Sequence, residues 1–202
     1  GAIQPVQNPA NNTAPVGEVL LSGEQAIENA LDKSTRAQPA WDRRGAEHRA
    51  ACLDRAADLM EAHCQSLIGL IVAEAGRTID DALSEVREAV DFCRYYAQQA
   101  RARFSVPLAL PGPTGEVNEL SLHGRGVFLC ISPWNFPLAI FMGQVSAALA
   151  AGNAVIAKPA EQTPLIAARA IALLQEAGVP GDVVHLLPGD GATVGSALVS
   201  DP

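Results

Sequence analysis

The stretch ISPWNFPLA, residues 131–139, joins a continuously apolar run to a run with helical features. The apolar run, Val127–Ile131, is typical of a strand that is covered on both faces. The residues that follow predict a helix from Phe136 to Ala151, because Pro137 suits a first helical turn and Gly152 suits a helix end. The stretch therefore marks a corner at which a buried strand passes into a helix.

The same alternation continues to the end of the chain. Apolar runs predict two more strands, at Ala154–Ala157 and Val183–Leu187. Two more helices are predicted, one from Thr163 to about Gly178 and one from Gly191 to Leu198. The order β-α-β-α-β-α predicts an α/β fold with the first half of a Rossmann-like, doubly wound parallel sheet. Because three strands make a thin sheet, we expect a fourth strand to follow and the chain to be a fragment.

The first half of the chain predicts helices. Ser22-Gly23-Glu24-Gln25 has the form of a capping box, and Thr78 suits the cap of a later helix. Trp41 is expected in a polar connector between helices. The helices are predicted after Ser22, from Ala46 to His63, and from Ile79 to about Arg103.

A loop rich in proline and glycine, residues 110–126, separates the two halves. Its alternating segment Glu119–His123 is typical of a connector or of an exposed strand pair, with His123 at the surface. We therefore expect a helical arm with a connector strand over residues 1–124 and a partial Rossmann-like domain over residues 125–202.

The composition indicates a globular protein. The chain is 49% hydrophobic and 18% charged, and its net charge of −8 argues against electrostatic binding to nucleic acid. Gly126–Ala157 carries no charged side chain, but prolines, asparagines and a glycine interrupt it. A membrane span needs roughly 20 predominantly apolar residues, so buried strands and a buried helix are the better interpretation.

The four cysteines, Cys52, Cys64, Cys93 and Cys130, predict reduced and mostly buried thiols. They form no Cys-x-x-Cys pair and have no metal-ligand spacing with the histidines, so we expect no metal site. The start of the chain has neither a basic region nor an apolar core of a signal peptide. These features together predict a cytoplasmic protein.

Ligands of an open α/β sheet bind beyond the carboxyl ends of its strands. Three stretches follow the predicted strands: Ser132–Asn135, Lys158–Glu161 and Pro188–Gly191. The ammonium of Lys158 and the carboxylate of Glu161, three residues apart, suit hydrogen bonds to the diol of a ribose. The alternative is a local ion pair at the start of a helix, where a glutamate favours the helix dipole.

Glycines near the third strand resemble a dinucleotide-binding fingerprint without matching it. Gly189 and Gly191 are followed by Gly195, but the fingerprint requires the third glycine at position 194, which is Val194. An alternative interpretation is that these glycines are small residues that permit the close approach of a ligand.

Asn135 has two interpretations that the sequence leaves open. Its amide lies where a strand passes into a helix and could donate a hydrogen bond to a developing oxyanion. Alternatively, it caps the helix that begins near Pro137.

The segments ISPWNFP, AKPAEQTP, EAGVP and LLPGDGATVG together resemble the aldehyde dehydrogenase superfamily. The resemblance extends over essentially the whole chain and includes PAWDRRGAEHRAACLDRAADLME. Within the superfamily, the chain is most similar to the L-glutamate γ-semialdehyde (pyrroline-5-carboxylate) dehydrogenase module of the bifunctional proline utilization A family.

The resemblance implies NAD as the cofactor, an aldehyde as the substrate and a role in proline catabolism. It implies that Asn135 donates to the oxyanion of a thiohemiacetal and that Trp134 lines the cofactor channel. The residues that it places against the cofactor are Ile131, Ser132, Pro133, Trp134, Lys158, Glu161, Gly191 and Gly195.

The chain departs from the superfamily pattern at the catalytic residues. Family chemistry uses a cysteine nucleophile and a glutamate base, and none of the four cysteines here matches the nucleophile's motif. The glycine-serine turn that cradles the pyrophosphate is also absent. We therefore expect the chain alone to be inactive, to bind NAD weakly at best, and to associate with itself through its incomplete sheet.

Two alternatives stay open. One is an aldehyde dehydrogenase with a different substrate. The other is a non-catalytic module of the same fold that serves assembly. Such a module could lose Asn135, Lys158 and Glu161, whereas this chain keeps all three.

Overall fold

The computed structural model describes residues 1–201 and has the α/β architecture that the sequence predicts. The strands are β1 Ile3–Asn8, β2 Asn11–Leu20, β3 Leu108–Leu110, β4 Asn118–Leu120, β5 Val127–Ile131, β6 Ala154–Lys158 and β7 Val184–Leu186. The helices are α1 Glu24–Arg43, α2 Ala46–Ala62, α3 Cys64–Ala75, α4 Ile79–Phe104, α5 Ala139–Ala150, α6 Pro164–Glu176 and α7 Ser196–Val199. A π-helical turn, Gly191–Gly195, leads directly into α7.

The parallel sheet has the order β5-β6-β7 and sets the direction of the second half. Its register pairs Ile131, the last residue of β5, with Lys158, the last residue of β6. Every residue of the central strand β6 is buried, and for its apolar residues Ala154–Ala157 the sequence predicts this. The carboxyl ends of β5 and β6 therefore lie side by side at one edge of the sheet.

Helices cover both faces of this sheet. Ile156 of β6 packs with Ile27 and Ala30 of α1 on one face, while Val155 and Ala157 point to the other face. On that second face α5 and α6 pack on the sheet, and α2, α3 and α4 pack on them from outside. One continuous core contains buried residues from both halves of the chain. The division near residue 125 stays a prediction.

Side chains from the helical half hold the C-terminal end of α5. The indole Nε1 of Trp41 donates to the carbonyl of Leu149 at 3.0 Å, and Nε of Arg49 donates to the carbonyl of Ala150 at 3.0 Å. The amide of Gln38 donates to the carbonyl of Gly152 at 2.9 Å. The last carbonyl groups of a helix lack partners within it. Arg49 supplies a partner for the carbonyl of Ala150, and Trp41 adds a second donor to the carbonyl of Leu149, which also accepts the N–H of Gly152 at 3.1 Å.

The prediction that Trp41 lies in a connector is wrong. Helix α1 continues to Arg43 with Pro39 inside it, and Trp41 is only 1% exposed. Proline destabilises the interior of a helix, but the burial of the Trp41 ring and its hydrogen bond to α5 outweigh this local effect.

The capping box at Ser22 is also wrong. Gly23 is the N-cap of α1 and makes no side-chain cap. The backbone N–H of Ser22 instead donates to the carbonyl of Pro188 at 2.8 Å, so a distant segment fixes the entry to the helix. The predicted cap at Thr78 is confirmed, because its hydroxyl accepts the N–H of Asp81.

Several other elements differ from the sequence predictions. The β1-β2 hairpin and helix α3 were not predicted, because the hairpin is polar and rich in proline and because α3 follows α2 without an intervening loop signal. Helix α5 begins at Ala139 rather than at Phe136. The exposed pair β3-β4 agrees with one of the two readings of its loop.

Strand β5 is less buried than its apolar sequence predicts. It is an edge strand, and Phe128 is 42% exposed because no strand within residues 1–201 covers its outer side. Burial on both faces was inferred from composition, which does not reveal whether a strand has two neighbours. None of the helices in residues 1–201 combines the length and apolar character that crossing a bilayer requires.

Candidate functional site

A groove lies at the carboxyl ends of β5 and β6, against the π-helical turn. It has a volume of about 380 Å³, and its lining includes four of the residues singled out from the sequence: Ile131, Lys158, Gly191 and Gly195. The groove occupies the position at which open α/β sheets bind ligands. The structure therefore brings these four residues together in one cavity.

Lys158 is the charged residue of this groove. Its side chain is 5% exposed, and its ammonium donates to the carbonyl of Pro159 at 3.2 Å. An ammonium has three N–H donors, and this is its one hydrogen bond within residues 1–201. A buried lysine in this condition favours a ligand that supplies oxygen acceptors.

The glycines have different physical roles. A Cβ atom on Gly195 would lie 3.6 Å from Cε of Lys158, so glycine leaves space beside the lysine stem. A Cβ atom on Gly189 would collide with the side chain of Val194, which is buried. Gly189 therefore makes room for the side chain of Val194. The N-cap Asp190 accepts the N–H of Thr193 at 2.6 Å, and hydrogen bonds from Thr193 lower the pKa of its carboxyl.

Glu161 lies outside this groove. Its exposed carboxylate accepts a hydrogen bond from its neighbour Gln162 at 3.3 Å. It lines a second cavity of about 240 Å³ beside the β1-β2 hairpin, which Glu74 also lines. The structure thus separates Glu161 from the cavity that Lys158 lines, and Lys158 bonds to backbone instead of to Glu161.

The corner after β5 carries the remaining predicted residues. The N–H of Ser132 donates to the carbonyl of Lys158 at 3.2 Å, which extends the β5-β6 ladder by one residue. Pro133 and Asn135 are half-buried, and Trp134 is 55% exposed. None of these three lines the Lys158 groove, although the same strand end places them beside it.

Glu85 caps the helix that follows this corner. The N-cap residue of α5 is Leu138, and the backbone N–H groups of Leu138 and Ala139 donate to Oε2 of Glu85 at 3.1 and 3.3 Å. Glu85 belongs to α4 and is 1% exposed. It occupies the capping role that the sequence also allowed for Asn135, so the side chain of Asn135 is not needed to cap α5.

Glu74 does the same for α6. The N–H groups of Leu165 and Ile166 donate to its two carboxylate oxygens at 2.6 and 2.9 Å. The N-cap residue Thr163 makes no side-chain cap of its own. Burial raises the pKa of Glu74 to about 7, against the opposing effect of the two backbone donors.

Sequence reasoning missed Glu74 and Glu85, although each left a signal. Glu85 follows Ala82 by three residues and precedes Ala89 by four, which places a carboxylate within the buried stripe of α4. Glu74 likewise continues the buried spacing of Leu67 and Ile71 in α3. A charged residue on the apolar face of a helix indicates a partner elsewhere in the fold, but not which partner.

Three of the four cysteines have a raised pKa. Burial raises the pKa of Cys130 to about 11 and that of Cys93 to about 12, and it also raises the pKa of Cys52. All four cysteines are free. A reactive cysteine has a lowered pKa, so Cys52, Cys93 and Cys130 lack this property of an activated nucleophile.

Comparison with known proteins gives a consistent result. The profile of the aldehyde dehydrogenase family matches residues 2–202. The chain is 52% identical over 201 residues to the bifunctional protein PutA of Escherichia coli, and the match covers 100% of this chain and 14% of that protein. It is 35% identical to the 1-pyrroline-5-carboxylate dehydrogenase of Bacillus subtilis, covering 96% of this chain and 38% of that enzyme.

A solved structure has the same fold. The 1-pyrroline-5-carboxylate dehydrogenase from Thermus with bound NAD superposes with a TM-score of 0.95 at 37% identity, covering 100% of this chain and 39% of that chain. The chain thus spans well under half the length of each of these relatives.

Glu74 should give the protein a pH-dependent stability. Its folded pKa of about 7 exceeds its ordinary value of 4.5, so the folded state holds this proton more tightly than the unfolded state. The resulting stability is fully present below pH 4.5 and is lost as the pH rises through 7. We expect the free energy of unfolding of the wild type, relative to Glu74→Gln, to fall by roughly 3 kcal/mol over this interval, at 1.36 kcal/mol per pKa unit.

Urea denaturation at pH 5 and pH 8 measures this difference. Glu176→Gln, which changes an exposed glutamate at the last residue of α6, controls for the loss of one carboxylate charge. A difference that stays constant between the two pH values would contradict the prediction and would mean that Glu74 caps α6 as a carboxylate throughout.

Proposed function

The chain belongs to the aldehyde dehydrogenase family, and from this premise we propose that it is part of a longer NAD-dependent enzyme that oxidises L-glutamate γ-semialdehyde to L-glutamate in proline catabolism. Identity to PutA and to 1-pyrroline-5-carboxylate dehydrogenases supports the substrate class. The greater length of these relatives supports the proposal that the chain is a fragment. In the reaction, the aldehyde carbon loses a hydride and gains an oxygen atom from water.

The observation that carries the proposal is the groove around Lys158. The buried ammonium of Lys158 uses one of its three N–H donors, so two can bond to a ligand. The absence of a Cβ on Gly195 leaves space beside the lysine side chain. These features fit the ribose hydroxyls of NAD, and Ile131 and Gly191 complete the walls against which an adenosine would lie. Glu161, on the same loop, would reach such a ribose from the outside of the groove. NAD, when bound, supplies the acceptor for the hydride.

In this proposal, the corner after β5 lies at the end of the site where the aldehyde reacts. Glu85, and not Asn135, caps α5. The amide of Asn135 can therefore donate to the oxyanion that forms on the aldehyde carbon. Trp134, with Ser132 and Pro133 before it, would form the wall of the cofactor channel between the groove and the reacting carbon. The nucleophilic cysteine and the glutamate base are proposed to lie in the part of the enzyme outside this chain.

Lys158 provides the first test. In the full-length enzyme, Lys158→Ala removes a charge-assisted hydrogen bond to the ribose, which contributes roughly 1.5–3 kcal/mol. The dissociation constant for NAD should therefore rise roughly 10- to 150-fold, at about 1.4 kcal/mol per tenfold. Isothermal titration calorimetry measures this constant directly.

The chain offers a matched control for this test. Its second lysine, Lys33, lies on α1 in an exposed ion pair with Asp182. Lys33→Ala should leave NAD binding unchanged. A dissociation constant that Lys158→Ala does not alter would show that Lys158 has only a structural role.

Asn135 provides the second test. In the full-length enzyme, Asn135→Ala should lower turnover roughly 100-fold or more, as the loss of an oxyanion donor does, while NAD affinity stays nearly intact. Steady-state assays of NADH formation give turnover, with Asn12→Ala in the exposed hairpin as the control. If NAD affinity falls and turnover does not, Asn135 is a cofactor contact instead of an oxyanion donor.

The isolated chain should associate with itself through β5. This edge strand exposes Phe128 above an apolar cavity of about 540 Å³ that Leu129, Ala147 and Ala151 help to line. Unpaired edge strands with exposed apolar side chains pair with other chains. Light scattering should detect dimers or larger species, and Phe128→Lys should reduce them; a wild-type monomer at all concentrations would refute the expectation.

Nothing in the charge balance or sheet suggests a nucleic-acid partner for this region. A cytoplasmic location stays a prediction.

A further inference from the structure

The start of helix α5 is held by a carboxylate from another layer of the fold. Glu85, on α4, is fully enclosed, and its Oε2 accepts the N–H groups of Leu138 and Ala139. Both of these residues have no exposed surface. A charged acceptor at a buried helix start is held more firmly than a solvated cap, because water cannot replace it.

Arg77 connects the same carboxylate to the corner. Its Nε lies 3.6 Å from Oε1 of Glu85, and its guanidinium carbon lies 5.0 Å from the ring centroid of Phe136. A cation above the face of an aromatic ring is attracted to that ring. Phe136 immediately follows Asn135 in the chain. Glu85 therefore contacts the corner in two ways, directly at Leu138 and through Arg77 at Phe136.

The other end of the corner is fixed independently. Ser132 is buried and donates its N–H to the carbonyl of Lys158, as part of the sheet. Pro133 and Pro137 each restrict their own backbone rotation. The path of Trp134 and Asn135 between these points is thus set by the sheet on one side and by Glu85 on the other.

We propose that Glu85 is a positioning residue, which fixes Trp134 and Asn135 through the backbone of Leu138 and Ala139 and through the contact of Arg77 with Phe136. The role of Trp134 and Asn135 in catalysis rests on the function proposed above, whereas the restraint on their position is a property of this chain. A misplacement of about 1 Å at a reacting group can cost 100-fold in rate, so a restraint of this kind matters for catalysis.

Glutamine at position 85 tests the restraint with little change in shape. Its amide oxygen can replace Oε2 and accept both N–H groups, but it is a weaker, uncharged acceptor, and the NH₂ group then replaces Oε1 and does not attract Arg77. Glu85→Gln should therefore weaken the restraint on the start of α5 and release Phe136. Glu88→Gln removes an exposed carboxylate from the same helix and is the matched control.

The chain has two tryptophans, which makes ¹⁹F NMR with 5-fluorotryptophan a direct readout. Trp41 is buried against α5 and Trp134 lies in the corner, and Trp134→Phe assigns the two signals. In Glu85→Gln we expect the Trp134 signal to shift and change its linewidth while the Trp41 signal stays in place. Glu88→Gln should alter neither signal. An unchanged Trp134 signal in folded Glu85→Gln would overturn the proposal and leave Glu85 with a purely stabilising role.

A second measurement decides the matter if Glu85→Gln does not fold. Burial raises the pKa of Glu85 above its ordinary value of 4.5, whereas the charge of Arg77 lowers it and that of Glu88 raises it further. Asp81 also faces Arg77, at 3.9 Å. Phe136→Leu removes the ring that Arg77 contacts and keeps the buried carboxylate. It should shift the Trp134 signal and reduce its response to pH in the range where Glu85 titrates. A Trp134 signal that neither Phe136→Leu nor pH affects would overturn the proposal.

The enzyme-level readout separates this proposal from the proposed function. In the full-length protein, Glu85→Gln should lower turnover at least tenfold with little change in the dissociation constant for NAD. If Lys158→Ala shows that NAD does not bind in the groove, the proposed function fails, whereas the ¹⁹F result still reports on the restraint. If NAD binds as proposed and turnover is insensitive to Glu85→Gln, the positioning role fails alone.

Discussion

Helix α5 is held at both ends by buried side chains of the helical half, and the shape of the candidate site depends on this arrangement. Glu85 accepts the first N–H groups of the helix, and Trp41 and Arg49 donate to its last carbonyls. A buried backbone group without a partner costs about 1–3 kcal/mol, and this applies here to the N–H groups of Leu138 and Ala139 and to the carbonyl of Ala150. The helical half therefore does more than cover the sheet: it completes the hydrogen bonding of the helix that the sheet requires.

The second crossover helix repeats the arrangement at one end. Glu74 accepts the first N–H groups of α6, just after the loop that begins at Lys158. Both strand ends at the candidate groove thus pass into helices whose first turns are fixed from the same outer layer. The position of Lys158 relative to Asn135 is consequently a property of the whole fold, and the loops alone do not determine it.

The sequence predicted those features that depend on local pattern. The apolar runs located the three parallel strands, and the rule for ligand sites at strand ends singled out the stretches that contain Lys158 and Gly191. The family resemblance added Ile131 and Gly195, and all four residues line one groove. Features that depend on distant partners were missed. Trp41 was placed in a connector because Pro39 and polar neighbours mask a helix that only tertiary contacts reveal. Glu74 and Glu85 were overlooked because the N–H groups they bind lie 91 and 53 residues away.

The sequence distance between α5 and its partners also bears on how the chain folds. The bonds from Trp41 and Arg49 to the end of α5 join residues 108 and 101 positions apart. Contacts of such separation form late, since the entropy of closing the intervening loop must be paid before they stabilise anything. During synthesis the helical half leaves the ribosome first and can present these side chains as a preformed template. In a circular permutant with the sheet ahead of the helices, α5 would be synthesised before Glu85, Trp41 and Arg49. The apolar helix would then be prone to aggregation until these residues were made.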